Sequence, residues 1–385
     1  MPSNVTSEYL VAEEAYRKAK SPSEKISALE KMYSTIPKHK GTEKMRLHIK
    51  KRLSKYKEKL EKTNATKKGG GPSFSVKKEG AAQVSLVGLP NTGKSSILNV
   101  LTHANSDVAD YPLTTTLPNP GMMKYKDIQI QIVDMPPMIK GVSMGKGFGF
   151  QLMGAMRSTD CLVMVVDLSK DPVKEMKTIL YELYRSGFRI NKKKAEIEIK
   201  KYSSGGLEIR GKKYVPDVSE VKKMLVEHRI SNAMVIVKEK IDLEEFLDFL
   251  DKNLVYIKAF VVGNKGDLKE SKKNLEKFKK NYSKFEIIPV SAEKEIGIDK
   301  LREKIYEKVD LIRVFTKSPG DDPDYPPIAM KKGTIVMEVA KEVHKQFYRN
   351  FRYAKIWGDS VKYDGQQAGA DHKVEDGDIV EIHTK

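Results

Sequence analysis

The chain of 385 residues holds a single cysteine, Cys161, inside the apolar run Cys161-Leu162-Val163-Met164-Val165-Val166. One cysteine excludes a disulfide framework and a cysteine-based zinc site, and its place in that run makes it a small core residue. The seven histidines show no metal-type spacing, so His344 and His372 read as surface residues. No apolar run approaches the roughly 18 residues that a membrane helix needs. The first residues carry Glu8, Glu13 and Glu14 and no signal-like apolar core. The expectation is a soluble, cytoplasmic protein.

What is present in excess is basic charge. Lys and Arg number 71 against 52 Asp and Glu, a formal net charge of +19. Such a balance favours a polyanionic partner, meaning nucleic acid, ribosome or an acidic surface, although a lysine-rich solvated surface gives the same composition. Hydrophobic residues at 39% suffice for sizeable cores, and the length predicts two to four domains at roughly 100–200 residues each.

One stretch organises the rest. Val84-Ser85-Leu86-Val87 reads as a buried strand, and Gly88-Leu89-Pro90-Asn91-Thr92-Gly93-Lys94-Ser95 has the spacing G-x-x-x-x-G-K-S of a phosphate-binding loop. Gly88 and Gly93 let the backbone wrap an anion, and the N–H groups of the loop and of the helix opening at Lys94 point at phosphates. Lys94 reaches the outer phosphates and Ser95 offers magnesium a hydroxyl; Asn91, Thr92, Gly93 and Ser96 complete the expected lining.

Around this loop the pattern is α/β. Residues 5 to about 62 read as a helical hairpin: Ser21-Pro22-Ser23-Glu24 is a capping box, and Met45, Ile49, Leu53, Tyr56 and Leu60 form an apolar stripe. The other faces carry Lys50, Lys51, Arg52, Lys55, Lys57 and Lys59, either a solvated face or a basic arm for RNA. Thr63–Ser73 reads as a linker, because its glycines and proline cannot hold a helix. The sequence-predicted domains are 1–73 (basic helical region and linker), 74–187 and 254–311 (a doubly wound α/β domain in two parts), 188–253 (a small α/β insert) and 312–385 (a β-grasp-like unit).

Within these bounds strands are expected at Gln83–Val87, Asp127–Val133, Cys161–Val166 and Ile257–Gly263, and helices at Phe150–Arg157 and Pro172–Arg185. In the insert, INKKKAEIEIKK and LEIRGKKYV read as strands around a Ser203–Gly206 turn. VSEVKKMLVEH and LEEFLDFLDK read as helices and AMVIVKE as a strand. The last unit has a connector at Asp321–Pro327, a segment Gly333–Met337, a helix from Met337 to about Phe347, and strands Ala354–Trp357 and Asp378–His383.

Four further stretches follow in the order a GTP site requires. In Tyr111-Pro112-Leu113-Thr114-Thr115-Thr116, a threonine can ligate magnesium and sense the γ-phosphate; register favours Thr115, then Thr114. Asp134 ends an apolar strand and would hold a magnesium-bound water. Asn264-Lys265-Gly266-Asp267 is an N-K-x-D in which the carboxylate accepts from the guanine N1–H and exocyclic amine, a donor pair adenine does not offer. Ser291-Ala292-Glu293 would present backbone N–H groups to the guanine oxygen.

These motifs resemble those of the Obg-like P-loop GTPases. The segments YPLTTTLPNPG, GVSMGKGFGF, FRINKKKAEIEIK and the tail from IRVFTK to GDIVEIHTK are similar to the developmentally regulated GTP-binding protein family, whose tail is a TGS domain. The resemblance implies a slow GTPase associated with ribosomes or translation, a TGS domain that contacts RNA, Mg2+ as cofactor, GTP and GDP as ligands, and a stabilising protein partner for some members. A GTP-binding RNA or ribosome adaptor with incidental hydrolysis is the alternative.

Two positions depart from the usual pattern. Where many GTPases orient water with a glutamine, this chain has Met138. The resemblance implies a substitute: K+ held partly by the phosphate-loop asparagine, here Asn91, whose alternative role is to stabilise a turn. Pro137 replaces a glycine whose N–H bonds the γ-phosphate; with no N–H and a fixed φ, it implies one missing contact and a stiffer switch.

Overall fold

A computed structural model describes residues 6–19, 22–37, 42–66, 74–102, 117–146 and 148–384, without the side chains of 22, 23, 44 and 58–66. The predicted cap at Ser21 and the side chains of Lys59 and Leu60 lie outside these residues. So does the Tyr111–Thr116 segment with Thr114 and Thr115.

The chain forms two compact units, residues 1–76 with 139–155, and residues 77–138 with 156–385. In the first, the region expected as a helical hairpin is three helices, α1 (Ser7–Lys18), α2 (Pro22–Thr35) and α3 (Glu43–Thr66), because the break before Pro22 and the one near Pro37 each end a helix; α5 (Gly149–Met156) lies in this unit up to Ala155. Thr6 caps α1 by accepting from the Tyr9 N–H at 3.2 Å. The helices pack through Tyr9, Ala12, Leu29, Met32, Ile36 and Ile49, with Met45, Leu53 and Tyr56 of the predicted stripe against them. The expected linker begins later than Thr63, because α3 continues to Thr66. Its Thr-Asn-Ala-Thr end tolerates helix, and the glycines that break one start only at Gly69.

The second unit is built on a sheet ordered β10-β9-β4-β1-β3-β2. Its strands are β1 (Ala82–Gly88), β2 (Asn119–Tyr125), β3 (Ile128–Asp134), β4 (Cys161–Asp167), β9 (Val255–Asn264) and β10 (Ile287–Pro289). All neighbours are parallel except the β2–β3 hairpin. Sequence periodicity did not show β2, whose apolar side chains do not alternate. Asp127, expected in a strand, instead shares the hairpin turn with Lys126, both at positive φ (67° and 44°).

Helices α4 (Lys94–Thr102), α6 (Pro172–Arg185) and α9 (Ser271–Asn281) connect strands of this sheet, and α10 (Ile298–Lys308) follows β10. Asp171 caps α6, with Pro172 at its first turn. Cys161 is fully buried in the core, and burial pushes its thiol up to about 12.

The expected insert strand over INKKKAEIEIKK (190–201) is strand only at its ends. Ile190 closes β5 (Phe188–Ile190), which pairs with the start of β9 in the main sheet, and β6 (Ile197–Lys201) joins the insert. LEIRGKKYV likewise keeps a strand only over β7 (Leu207–Arg210), because Gly211 turns at φ +84°. β8 (Ala233–Val237) lies between β6 and β7, with α7 (Val218–Glu227) and α8 (Leu243–Leu250) completing the insert.

The C-terminal sheet runs β12-β11-β15-β13-β14. Its strands are β11 (Leu311–Lys317), β12 (Ile328–Lys331), β13 (Phe351–Trp357), β14 (Gln366–Ala368) and β15 (Ile379–Thr384). The predicted helix Met337–Phe347 is broken at His344, which ends α11 (Val336–Val343). Its ring nitrogen then caps α12 (Lys345–Arg349) by accepting from Gln346 N–H at 3.2 Å.

Candidate functional site

The register of the parallel strands gathers the predicted residues at one edge. Leu86 lies opposite Asp134, Gly88 opposite Val165, and Asp167 opposite Asn264. The loops that follow β1, β3, β4 and β9 therefore leave the sheet side by side, the position where open α/β sheets bind ligands.

In the phosphate loop both glycines are required. A Cβ on Gly88 would stand 2.4 Å from the Val165 carbonyl oxygen, and one on Gly93, at φ +84°, would stand 2.1 Å from Asn264 Nδ2. Thr92 is buried and its hydroxyl donates to the Leu89 carbonyl at 3.1 Å. Lys94 is buried too, its ammonium on the carbonyls of Gly88 (3.3 Å) and Leu89 (3.2 Å). Burial pushes the Lys94 pKa down, and the carboxylates of Asp134 and Glu175 oppose that shift.

Ser95 donates its hydroxyl to the buried Asp134 carboxylate at 2.5 Å. Two hard oxygen groups thus meet at the mouth of the loop, a donor set suited to Mg2+. Among the described residues there is no cluster of three or more His, Cys, Asp or Glu side chains that could hold a metal. Asn91 is exposed at φ 63°, a conformation asparagine tolerates better than most residues. Its side chain makes no hydrogen bond among the described residues. Met138 is fully buried and its N–H donates to the Gly88 carbonyl at 2.9 Å, while Pro137 beside it is half-buried.

The guanine-type loop is joined to the phosphate loop. Asn264 is buried; its Nδ2 donates to the Thr92 carbonyl at 3.0 Å and its Oδ1 accepts from Ala292 N–H at 3.1 Å. Lys265 donates to the Asn91 carbonyl at 3.0 Å and to Asp167 Oδ2 at 2.7 Å. A hydrogen bond from Ser291, with help from Lys294, holds the Asp267 carboxyl below its ordinary range. Of the three expected oxygen-reading N–H groups, Ser291 donates to Ile296 and Ala292 to Asn264. That of exposed Glu293 has no partner among the described residues. Ser96, in the first turn of α4, is half-buried.

Sequence reading did not single out Asp167 and Glu175. Asp167 ends β4 fully buried, and its N–H donates to Glu175 Oε2 at 2.9 Å. The signal available was a strand of six apolar residues closing on a carboxylate, the pattern already used for Asp134.

Residues 83–201 match the family described as a 50S ribosome-binding GTPase, 204–311 the C-terminal region of that domain, and 312–384 the TGS domain. An uncharacterised GTP-binding protein of Methanocaldococcus jannaschii is 39% identical over 94% of this chain and 93% of its own length. The developmentally regulated GTP-binding protein 2 of Homo sapiens is 33% identical over 94% of this chain and 99% of its own. Among solved structures, a GTP binding protein from Pyrococcus horikoshii OT3 covers 79% of this chain and 100% of its own at 16% identity, with a TM-score of 0.43.

Proposed function

This chain belongs to the developmentally regulated GTP-binding protein family of Obg-like GTPases with a TGS domain, and we propose that it hydrolyses GTP slowly as a switch acting on ribosomes or in translation. The observation that carries the guanine-nucleotide reading is the pair of bonds joining the two loops, Asn264 to Thr92 and Lys265 to Asn91. They hold a phosphate cradle and a base-reading carboxylate, Asp267, in one frame.

In this reading the backbone of Asn91–Ser96 and the Lys94 ammonium bind the phosphates, and the start of α4 turns its N–H groups toward them. Asp267 accepts from guanine, and Ser291 orients that carboxylate. Mg2+, when bound, neutralises charge on the β,γ oxygens, and Ser95 and Asp134, with Thr115, would hold it. Asn91 would offer K+ its side-chain oxygen, in place of a water-orienting glutamine.

The ribosomal part rests on the net charge of +19 and on the ribosome-binding description of the family that residues 83–201 match. The basic region 1–73 and the TGS region 312–385 are the proposed RNA contacts, and a stabilising protein partner remains part of the reading. Cytoplasmic location goes with it. Co-sedimentation with ribosomes in GTP analogue, in GDP and without nucleotide tests it: binding favoured by one nucleotide state is expected, and absence of binding in all three would refute the ribosomal role.

The buried side chain of Met138 favours keeping the second reading, an adaptor whose hydrolysis is incidental. Single-turnover hydrolysis with and without ribosomes separates the two, since only a switch is accelerated.

A further inference from the structure

The last residue of β4 is a carboxylate that the mechanism above does not use. Asp167 is fully buried, and each of its oxygens is committed. Oδ1 accepts from the N–H and the hydroxyl of Ser169, at 2.9 and 2.6 Å. Oδ2 accepts from Lys265 Nζ at 2.7 Å. The Lys170 ammonium stands 3.8 Å away.

Lys265 is held at both ends. Its backbone adopts φ 61°, and its carbonyl accepts from the Ser271 hydroxyl at 2.6 Å. Its ammonium spans the gap between Asp167 and the Asn91 carbonyl. A lysine ammonium is a point charge on a flexible stem, and its fixed placement needs an anchor. Asn91 supplies only a neutral carbonyl, so the charged anchor is Asp167. Asp167 is anchored in turn, through its N–H on Glu175 and its register opposite Asn264.

The geometry points to Asp167 as a positioning residue for guanine-nucleotide binding: it pins Lys265 so that the base-reading loop and the phosphate loop are clasped together. The inference rests on the reading of Lys265 and Asp267 as base-binding residues. It adds a third loop, the one after β4, to the nucleotide site, and makes the grip on nucleotide depend on a group that does not touch it.

The test is a double-mutant cycle on GDP release, followed with a fluorescent GDP analogue on the full chain. Asp167→Asn keeps the shape and removes the charge, and is expected to speed release roughly tenfold, within the range for coupled neighbours. Lys265→Gln removes the nearer of the two cations beside the buried carboxylate, leaving Lys170 at 3.8 Å, and is expected to lose at least as much. The double variant is expected to release GDP no faster than Lys265→Gln alone, because the pair is gone in both. A merely structural carboxylate gives multiplicative losses instead, and that result overturns the inference.

The GDP-induced rise in melting temperature is measured alongside. A lower ligand-free midpoint with an unchanged GDP-induced rise in Asp167→Asn also overturns it. Asp267→Asn serves as the reference: it should exchange guanine for xanthine preference. If it does and Asp167→Asn binds normally, the positioning role alone fails. If Asp267→Asn keeps its guanine preference, the base-site reading itself fails.

Discussion

The side-chain amide of Asn264 donates to the main-chain carbonyl of Thr92 at 3.0 Å, across 172 residues of sequence. The same amide accepts from Ala292 N–H. One buried side chain therefore ties the 88–95 loop to the loop after β9 and to the segment at Ala292, both proposed to bind the base, and Gly93 must be glycine because that amide occupies the space of a Cβ.

Asn264→Ala leaves the Thr92 carbonyl and the Ala292 N–H without that partner. The expected cost is about 1–3 kcal/mol of stability with weakened nucleotide binding. Urea unfolding and GDP titration check it; wild-type values in both would contradict the bridging role.

The Asn91 side chain is exposed and the Met138 side chain is buried. Hydrolysis is therefore expected to run faster in K+ than in Na+, and Asn91→Ala to lose that difference while still binding GDP. Equal turnover in the two salts, or stimulation that persists in Asn91→Ala, would sink the potassium reading.

Pro137 has no N–H to offer a γ-phosphate, and the next N–H, that of Met138, donates to Gly88. Pro137→Gly is expected to tighten binding of a GTP analogue relative to GDP by several-fold, about 1 kcal/mol for one added hydrogen bond. Isothermal titration of both nucleotides checks it, and an unchanged affinity ratio contradicts it.

The C-terminal unit is joined to the α/β sheet by charge. Arg313 on β11 meets Asp376 at 3.0 Å and Asp127 of the β2–β3 turn at 3.7 Å, and the Tyr325 hydroxyl donates to Asp127 at 2.7 Å. Partial burial alone would raise the Asp376 pKa, but the hydrogen bonds and charge of Arg313 hold it below the ordinary range. A depressed carboxyl contributes stability above its unfolded pKa of about 3.9 and loses it as pH falls through the lower folded value. Arg313→Ala is expected to lose about 1 kcal/mol at neutral pH, the size of a partly exposed pair, and less below pH ~4. Chemical denaturation at pH 7 and 3.5 checks the sign.

Local signals were enough for much of the fold. The glycine spacing of 88–95, the apolar run of β4 and the Asp-Pro start of α6 each declare their element within a few residues. Elements that depend on a distant partner were harder to read. β2 carries no apolar alternation and is a strand because β3 pairs with it. β5 has three residues and is held by β9, nearly seventy positions on. The break at His344 arises from a side-chain cap within an otherwise helical pattern.

By itself, the sequence determined which residue types are available: the G-x-x-x-x-G-K-S spacing of 88–95, the strand-end carboxylate of Asp134, the N-K-x-D of 264–267, and Pro137 and Met138. These are matters of residue type and short spacing, and the chain writes them locally. Only the tertiary structure decided how the loops are joined. Parallel register sets Asp167 opposite Asn264, and hydrogen bonds between residues far apart in sequence set Lys265 on Asn91 and Asn264 on Thr92. Register and burial come from packing whole strands together, and no local spacing carries that information.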